Sequence, residues 1–258
     1  YFYPRDSACA SGLLAYLSTS DLSFADDAYK LLKSIAYFVL KVLRDDGYIG
    51  QRYALSREEK SVYKQEDNNA HGLIILSNYL LTAEARGENI QDIDKFLLSI
   101  NSASQFAIKN YYRPEINLFH STTSIHESAL EEGFSCWTNF AYLKAFTLVS
   151  RVNDDLDAPD IIPDKILTFK SAFKHNLFSI MVSNKRFLRR IDKRGNYDFK
   201  PDFTLLSPFY FGFGNEDKSL LDNSVSFLER QLWDPELGMI QRYLPFSGDI
   251  EIHTHAGN

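Results

Sequence analysis

The stretch Ala28-Tyr-Lys-Leu-Leu-Lys-Ser-Ile-Ala-Tyr-Phe-Val-Leu-Lys-Val-Leu43 decides the fold class. Its apolar residues recur at steps of three and four, which is the spacing of an amphipathic α-helix with one buried face. The same spacing predicts further helices at 70–81, 93–108, 137–149, 166–181 and 220–232. Short alternating runs at 48–53 and 239–244 indicate small hairpin strands inside loops. The sequence therefore predicts an all-α protein.

The connections between the predicted helices alternate between short and long. The short ones are 18–24, 82–91 and 153–164. In a chain of antiparallel helices alternate connections lie at opposite ends, so one end is expected to carry all the long ones, at 45–64, 111–132, 183–202 and 233–256. Helical hairpins with elaborated loops on one face are typical of an (α/α) toroid that binds its ligand at the loop end. No linker interrupts the pattern, so residues 1–258 are predicted to form a single domain.

The long connections also share sequence with one another. Asp46-Gly-Tyr-Ile-Gly-Gln-Arg-Tyr53 is similar to Gly238-Met-Ile-Gln-Arg-Tyr243. Arg113-Pro-Glu-Ile-Asn-Leu-Phe119 is similar to Asp234-Pro-Glu-Leu-Gly238. Recurring similarity of this kind indicates an internal repeat built on a helical hairpin and its loop.

Composition argues against several kinds of partner. The formal net charge of −6 disfavours nucleic acid, and the densest basic stretch, 185–194, is interpreted as a solvated surface loop. The most apolar helical stretch, 35–43, is well short of the roughly 20 residues that a membrane span needs, so no membrane partner is expected. Cys9 and Cys136 fit no metal or redox spacing, and two buried thiols are favoured over a disulfide.

Polar and acidic clusters stand where the long connections meet the helices that follow. They are Arg5-Asp6-Ser7, Gln-Glu-Asp-Asn-Asn at 65–69, Ser-Ile-His-Glu-Ser-Ala-Leu-Glu-Glu-Gly at 124–133, and Arg242-Tyr243 with His-Thr-His-Ala-Gly-Asn at 253–258. Each has an ordinary explanation as a helix cap, a solvated helix start or a run of capping glutamates. The functional alternative is that an arginine beside a carboxylate holds two sugar hydroxyls through charge-assisted hydrogen bonds.

Other classes of site lack their signature. His253 and His255 have no convincing third ligand, so no metal is expected. Gly212-Phe-Gly214 lacks the third glycine and the helix of a dinucleotide site, and no cofactor is expected. Carboxylates, arginine, amides and aromatic rings without a cofactor motif suit a neutral polyhydroxylated ligand. The faces of such a ligand stack on rings while polar groups bind its hydroxyls.

Three of the clusters resemble glycoside hydrolase family 15, the glucoamylases. Tyr1-Phe-Tyr-Pro-Arg5-Asp6-Ser7 is similar to the family's segment in which an Arg-Asp pair holds the sugar of the cleaved subsite. Gln65-Glu66-Asp67 with Ala70 resembles the start of the second inner helix, and Arg242-Tyr243 with Gly257-Asn258 resembles the later stretch whose arginine holds the same sugar. The three occur in the family's order over essentially the whole chain.

The resemblance implies an (α/α)6 toroid and inverting hydrolysis of an α-glucosidic bond. The implied substrate is a neutral α-glucan or oligosaccharide, cleaved by one carboxylic acid and one carboxylate base. The tips of Arg5, Asp6 and Arg242 are expected to converge in one pocket, near Trp137 or a Tyr. The substrate-binding residues implied are Arg5, Asp6, Gln65, Asp67, Trp137 and Arg242.

The general acid of the family lies in a Trp-Glu-Glu motif, and this sequence departs from it. Glu127 aligns with the family's general acid if this sequence has a two-residue insertion, and Glu131 aligns with it if this sequence has a two-residue deletion. Glu127 is preferred because its segment follows Leu118-Phe119 at nearly the family's interval. Glu131 would then be a neighbouring carboxylate, whose charge favours the protonated form of the acid.

The general base of the family lies beyond Asn258, which leaves two other interpretations open. By the repeat count, the toroid is expected to be incomplete in this chain, lacking one helix before Tyr1 and about three after Asn258. The absent base favours a non-catalytic relative, like the glucoamylase-like domain of phosphorylase kinase regulatory subunits, whereas Arg5, Asp6 and Arg242 favour the enzyme. A related toroid enzyme, either a trehalase or a lyase acting on acidic sugars, is the third interpretation, and the net charge disfavours the lyase.

Overall fold

A computed structural model describes residues 1–123, 130–156, 158, 164–213 and 217–241. Helices dominate these residues, which confirms the mainly helical prediction and is compatible with a toroid-like arrangement. The helices are α1 (Pro4–Ser18), α2 (Ala25–Val42), α3 (Asn68–Ala85), α4 (Ile93–Asn110), α5 (Cys136–Asp155), α6 (Asp164–Ile180), α7 (Ser207–Tyr210) and α8 (Lys218–Leu232). In the described ranges no helix is long and apolar enough to cross a membrane.

Short strands occupy the connections between the helices. They are β1 (Tyr112–Arg113), β2 (Leu118–Phe119), β3 (Ser121–Thr123), β4 (Leu130–Ser135), β5 (Val182–Ser183), β6 (Arg186–Phe187), β7 (Arg190–Asp192), β8 (Tyr197–Asp198), β9 (Trp233–Asp234) and β10 (Met239–Ile240). Three pairs form two-stranded sheets, β1–β2, β5–β6 and β9–β10, and a four-stranded antiparallel sheet has the order β3-β4-β7-β8. The sequence did not predict the four-stranded sheet, because strands of two to six residues give little periodicity and β4 pairs with the distant β7.

The chain divides into two compact units. Unit 1 contains Tyr1–Tyr112 and Tyr142–Phe173, and unit 2 contains Arg113–Ala141 and the chain from Lys174 onward. The first boundary falls inside β1 and the other two inside α5 and α6, so each of these helices contributes residues to both units. The single domain predicted from the sequence, and the gathering of all four long connections at one end, remain predictions.

Helix α3 forms the centre of unit 1. It packs against α1, α2 and α4, and nearly every side chain along it is buried, including Leu73, Ile75 and Tyr79. By contrast α2 buries one face, through Leu32, Ala36 and others at helical spacing, and exposes the opposite face. A helix that is apolar all round lies in the interior of a protein, and an amphipathic helix lies on its surface.

Unit 2 has an aromatic core of its own. Phe140 on α5 makes edge-to-face contacts with Phe178 on α6 and with Phe187 on β6, at centroid distances of 5.4 and 5.5 Å. Ile191 on β7 and Leu205 are also buried in this unit. Leu205 belongs to a 3-10 helix, Phe203–Leu206, that precedes α7.

Each of the helices α4, α6 and α8 leads directly into a two-stranded hairpin. In the first and third hairpins Asn117 N donates to Arg113 O at 2.7 Å and Gly238 N donates to Asp234 O at 2.9 Å. Asn117 and Gly238 both have positive φ, at 56° and 64°. The similarity predicted between 113–119 and 234–238 is therefore confirmed as one recurring turn. The strand predicted at 48–53 is reduced to isolated bridges of Tyr53 with Phe2 and Glu59.

The two cysteines differ in exposure, and neither forms a disulfide. Cys136 is buried at the start of α5, as predicted. Cys9 is exposed on α1, so the prediction that both thiols are buried was wrong for this residue. Helical spacing alone could not show this.

Candidate functional site

The start of α3 is an unusual concentration of buried polar side chains. Gln65, Glu66, Asp67, Asn68 and Asn69 are each exposed by 4% or less. The interpretation of this run as a solvated helix start is therefore wrong. Burying polar groups costs free energy unless each is hydrogen-bonded, so the partners of these side chains define the local structure.

Asp67 is held by a cation from α1 and by a histidine on its own helix. Arg5 donates from Nε to Oδ2 and from Nη2 to Oδ1 of Asp67, both at 3.2 Å. His71 Nε2 lies 3.2 Å from Oδ2, one helical turn further along α3. Burial alone would raise the pKa of Asp67, but the Arg5 charge and the His71 hydrogen bond outweigh it and hold the pKa well below its usual range. Asp67 is therefore a carboxylate, and Arg5 has a fixed orientation.

Gln65 is a further group beside Arg5. When its amide is oriented with the carbonyl oxygen toward the guanidinium, that oxygen accepts from Arg5, whose Nη2 is the nearest donor. Hydrogen-bonding logic requires this orientation, since the amide nitrogen would otherwise face only donors. The Arg5 side chain is 13% exposed, so it is largely but not wholly buried.

Asn68 and Asn69 attach the preceding connection to α3. Asn69 Nδ2 donates to Gly47 O at 2.7 Å, and its Oδ1 accepts from Ile49 N at 3.3 Å. Asn68 Nδ2 donates to Gly50 O at 2.9 Å. These bonds fix the connection against the helix start and so hold Gln65 and Asp67 in place.

Asp6, which follows Arg5 in the first turn of α1, is exposed. A carboxylate there interacts favourably with the positive end of the helix dipole, which is the ordinary explanation of its presence. The structure adds that the neighbouring arginine is fixed and largely buried.

Trp137 lies in unit 2, in the first turn of α5, and is half-buried. Its ring stacks on Tyr210 at a centroid distance of 5.4 Å and contacts Phe211 at 4.9 Å. Tyr210 is 52% exposed. The cluster therefore presents a ring at the surface of unit 2, as sugar stacking requires.

Glu131 forms part of an ionic cluster centred on a buried arginine in unit 2. Arg189, whose side chain is 3% exposed, donates from Nη2 to Oε1 and Oε2 of Glu131 at 2.5 and 2.6 Å. Asp198 and Asp202 bind Nη1 and Nε, both at 2.8 Å. Burial alone would lower the pKa of Arg189, but Asp202 and Glu131 outweigh it and raise the pKa. Both oxygens of Glu131 thus bind a permanently charged group.

This cluster also corrects the interpretation of the basic stretch 185–194 as a solvated loop. Arg189 is one of the most buried charged residues in the described chain, because three carboxylates from separate parts of unit 2 surround it. Sequence reasoning had no signal for it, since its partners lie 9, 13 and 58 residues away, beyond the reach of helix or strand periodicity. His71 had a weak signal in its i, i+4 spacing from Asp67, which places the two on one face of a helix.

Two predicted site residues, Glu127 and Arg242, lie outside the described residues, as do His253 and His255. The predicted convergence of Arg5, Asp6 and Arg242 therefore stays a prediction. Within the described ranges no group of three or more His, Cys, Asp or Glu side chains is arranged to hold a metal ion.

Comparison with known proteins gives a likeness of structure only. No protein-family model and no curated protein matches the chain. Among solved structures, a glycosidase matches 97% of this chain and 64% of its own length, with a TM-score of 0.62 and 14% sequence identity. The fold is glycosidase-like. A sugar epimerase from a ruminal bacterium matches 90% of this chain and 77% of its own, at a TM-score of 0.36 and 13% identity, and no inference follows from it.

Proposed function

We propose that this chain is a glycoside hydrolase that cleaves α-glucosidic bonds in a neutral glucan or oligosaccharide, as the glucoamylases do. The buried network of Arg5, Gln65, Asp67 and His71, with Asp6 exposed beside it, is the observation that carries the proposal. The glycosidase-like fold supports the general class. The finer assignment to α-glucosides rests on the resemblance of three sequence motifs to family 15.

The charge balance of the network favours a neutral ligand over an anionic one. Asp67 neutralises Arg5, so the arginine offers hydrogen-bond donors without a net positive charge. Phosphate or carboxylate ligands require uncompensated cations, whereas sugar hydroxyls require donors and acceptors in a fixed geometry. In the proposed subsite Arg5 donates to one sugar hydroxyl while Asp6 accepts from its neighbour. Gln65, Asp67 and His71 keep the arginine in position.

Glu127 is the residue we assign as the general acid. A general acid donates a proton to the glycosidic oxygen as the bond breaks, and it needs an oxygen that faces the substrate. Both oxygens of Glu131 accept from Arg189, so Glu131 suits a structural role better than a catalytic one. In an inverting reaction a separate carboxylate activates the water that attacks from the opposite side of the sugar ring.

Stacking is the role that we assign to Trp137. Its contacts with Tyr210 and Phe211 hold the indole ring in one orientation, which lowers the entropy lost when a sugar face packs on the cluster. The exposed face of Tyr210 extends the same surface. A rigid aromatic surface of this kind suits the apolar face of a glucose unit.

The decisive experiment compares Glu127→Gln with Glu131→Gln on two substrates. For Glu127→Gln we expect turnover of maltose to fall by about 10² to 10⁴, the usual contribution of a general acid. Turnover of an aryl α-glucoside with a good leaving group should fall much less, because that leaving group departs with little protonation. Glu131→Gln should instead lower stability and affect both substrates alike, since it weakens the cluster around Arg189.

Glu132→Gln is the matched control, since Glu132 is exposed and pairs with the exposed Lys193. Its turnover and stability should stay near those of the wild type. If the loss of turnover depends on the leaving group in Glu131→Gln but not in Glu127→Gln, the general acid is Glu131. Wild-type protein that binds maltose without hydrolysing it would overturn the enzyme assignment in favour of a non-catalytic glucoamylase-like domain.

A further inference from the structure

An open cavity of about 480 Å³ lies in unit 1, between the end of α2, the connection that follows it, and α4. Three aromatic side chains line it: Tyr48, Tyr63 and Phe106. The rings of Tyr48 and Phe106 contact each other at a centroid distance of 5.6 Å. Its size falls in the range of small-molecule sites, roughly 300 to 1,000 Å³. None of the residues assigned to the proposed subsite lines it.

The charged side chains on the wall of the cavity cancel one another. Arg44 and Lys64 bring two positive charges, and Asp46 and Glu59 bring two negative ones. Arg44 Nη2 lies 3.1 Å from Asp46 Oδ2, and its guanidinium lies over the ring of Tyr48 at 5.2 Å. A phosphate site would require an excess of positive charge and a cation site an excess of negative charge. This wall offers donors and acceptors in balance.

Hydrogen bonds with the buried interior of unit 1 fix the wall around Glu59. Ser61 Oγ donates to Glu59 Oε1 at 2.6 Å and accepts from Gln51 N at 2.8 Å. The side chain of Gln51, which is 3% exposed, accepts from Val62 N at 3.0 Å. Gly50 leaves room for the carboxylate, because a Cβ there would lie 2.5 Å from Glu59 Oε1. The acceptor is therefore positioned before any ligand arrives.

We infer that this cavity is a second saccharide-binding site, which takes a neutral sugar unit of the glucan. Aromatic walls bind the apolar face of a sugar ring, and balanced charged groups bind its hydroxyls. The inference deepens the proposed function and rests on it for the identity of the sugar. Lys64, on the cavity wall, directly precedes Gln65, so one connection carries both sites. A polymer bound at both sites gains avidity that a disaccharide lacks.

The test is calorimetric titration of the protein with maltose whose linkage is sulfur-bridged and resists hydrolysis, a ligand too short to occupy both sites at once. We expect the wild type to bind two molecules per chain. The double variant Arg44→Ala/Glu59→Ala should bind one, because a donor and the fixed acceptor of the second site are removed. The matched control, Glu58→Ala/Lys60→Ala, removes one charge of each sign from the same connection, outside the cavity lining, and should bind two.

Several outcomes decide the inference. The inference is overturned if the wild type binds one molecule per chain, or if the Arg44→Ala/Glu59→Ala variant still binds two. It is also overturned if the wild type binds inorganic phosphate and this variant does not. If the double variant does not fold, Glu59→Gln, which keeps the shape of the side chain, should weaken the second site at least fivefold. Two bound molecules without any hydrolysis of maltose would refute the proposed function alone. Normal hydrolysis with one bound molecule would refute the second site alone.

Discussion

Asp67 is 2% exposed, and an isolated carboxylate at that depth would be very unfavourable. Arg5 and His71 compensate for the burial, which makes the charged state of Asp67 a structural requirement of unit 1. The same compensation fixes Arg5 beside Asp6. At the scale of single residues, the ion pair therefore links the stability of unit 1 to the geometry of the proposed subsite.

Asp67→Asn should destabilise the protein by about 3 kcal/mol, because it leaves the Arg5 charge largely buried without its partner. Urea unfolding at neutral pH measures this change. Asp27→Asn is the control, since Asp27 is 81% exposed in its pair with Lys30 and should cost less than about 1 kcal/mol. Equal losses in the two variants would contradict the assignment of a buried ion pair.

The stability difference between wild type and Asp67→Asn should also depend on pH. The pKa of Asp67 is lower in the folded protein than its unfolded value of about 3.9. A depressed carboxyl pKa stabilises the fold fully above the unfolded value, and this contribution is lost as pH falls through the folded value. The difference should stay constant from about pH 5 to 8 and shrink below about pH 4. A difference that grows in acid would contradict the direction of the shift.

At the scale of elements, a short hairpin follows each of the helices α4, α6 and α8 in the chain. Each reverses the chain in few residues and leads into the longer connection that follows. A similar repetition occurs at two helix starts, where Asn69 and Asn139 each bond the connection that precedes their helix. Asn139 accepts from Phe119 N at 2.7 Å and donates to Phe119 O at 2.9 Å. The repeat is thus carried by turns and amide side chains as well as by helices.

The recurring turn leads to a prediction for Asn117, whose φ is 56° at the position equivalent to Gly238. Asn117→Gly should leave the free energy of unfolding within about 0.5 kcal/mol of the wild type, because glycine adopts this conformation without strain. Asn117→Val should cost about 1 to 2 kcal/mol, because a β-branched residue is strained at positive φ. Urea unfolding of both variants provides the measurement. A valine variant as stable as the glycine variant would show that the turn changes conformation.

At the scale of the whole molecule, the glycosidase-like fold and the proposed inverting chemistry predict which anomer is released first. Direct attack by water on an α-glucosidic bond inverts the configuration at the anomeric carbon. Proton NMR in the first minutes of maltotriose hydrolysis should therefore show β-glucose ahead of mutarotation. Initial release of α-glucose would indicate a retaining mechanism and would rule out the family 15 assignment. An assay with protein inactivated by heat controls for spontaneous hydrolysis.

The helical pattern of the sequence predicted much of the fold. Helices predicted at 28–43 and 93–108 are observed as Ala25–Val42 and Ile93–Asn110. Their apolar faces pack on the interior, so the spacing of apolar residues in the sequence corresponds to the buried face of each helix. The pattern missed the helix Ser207–Tyr210 and the four-stranded sheet, because four residues hold barely one helical period and strand pairing depends on distant partners.

The sequence by itself determined the helical class, the repeated Pro-Glu turn and the clusters in which the candidate site residues occur, since all of these depend on neighbours within a few positions. Only the tertiary structure decided which charged residues are buried. It placed Asp67 against Arg5, and Arg189 among Glu131, Asp198 and Asp202. The cost of burying a charge depends on partners that folding brings together from 9 to 62 residues away, and no helical or strand periodicity encodes them.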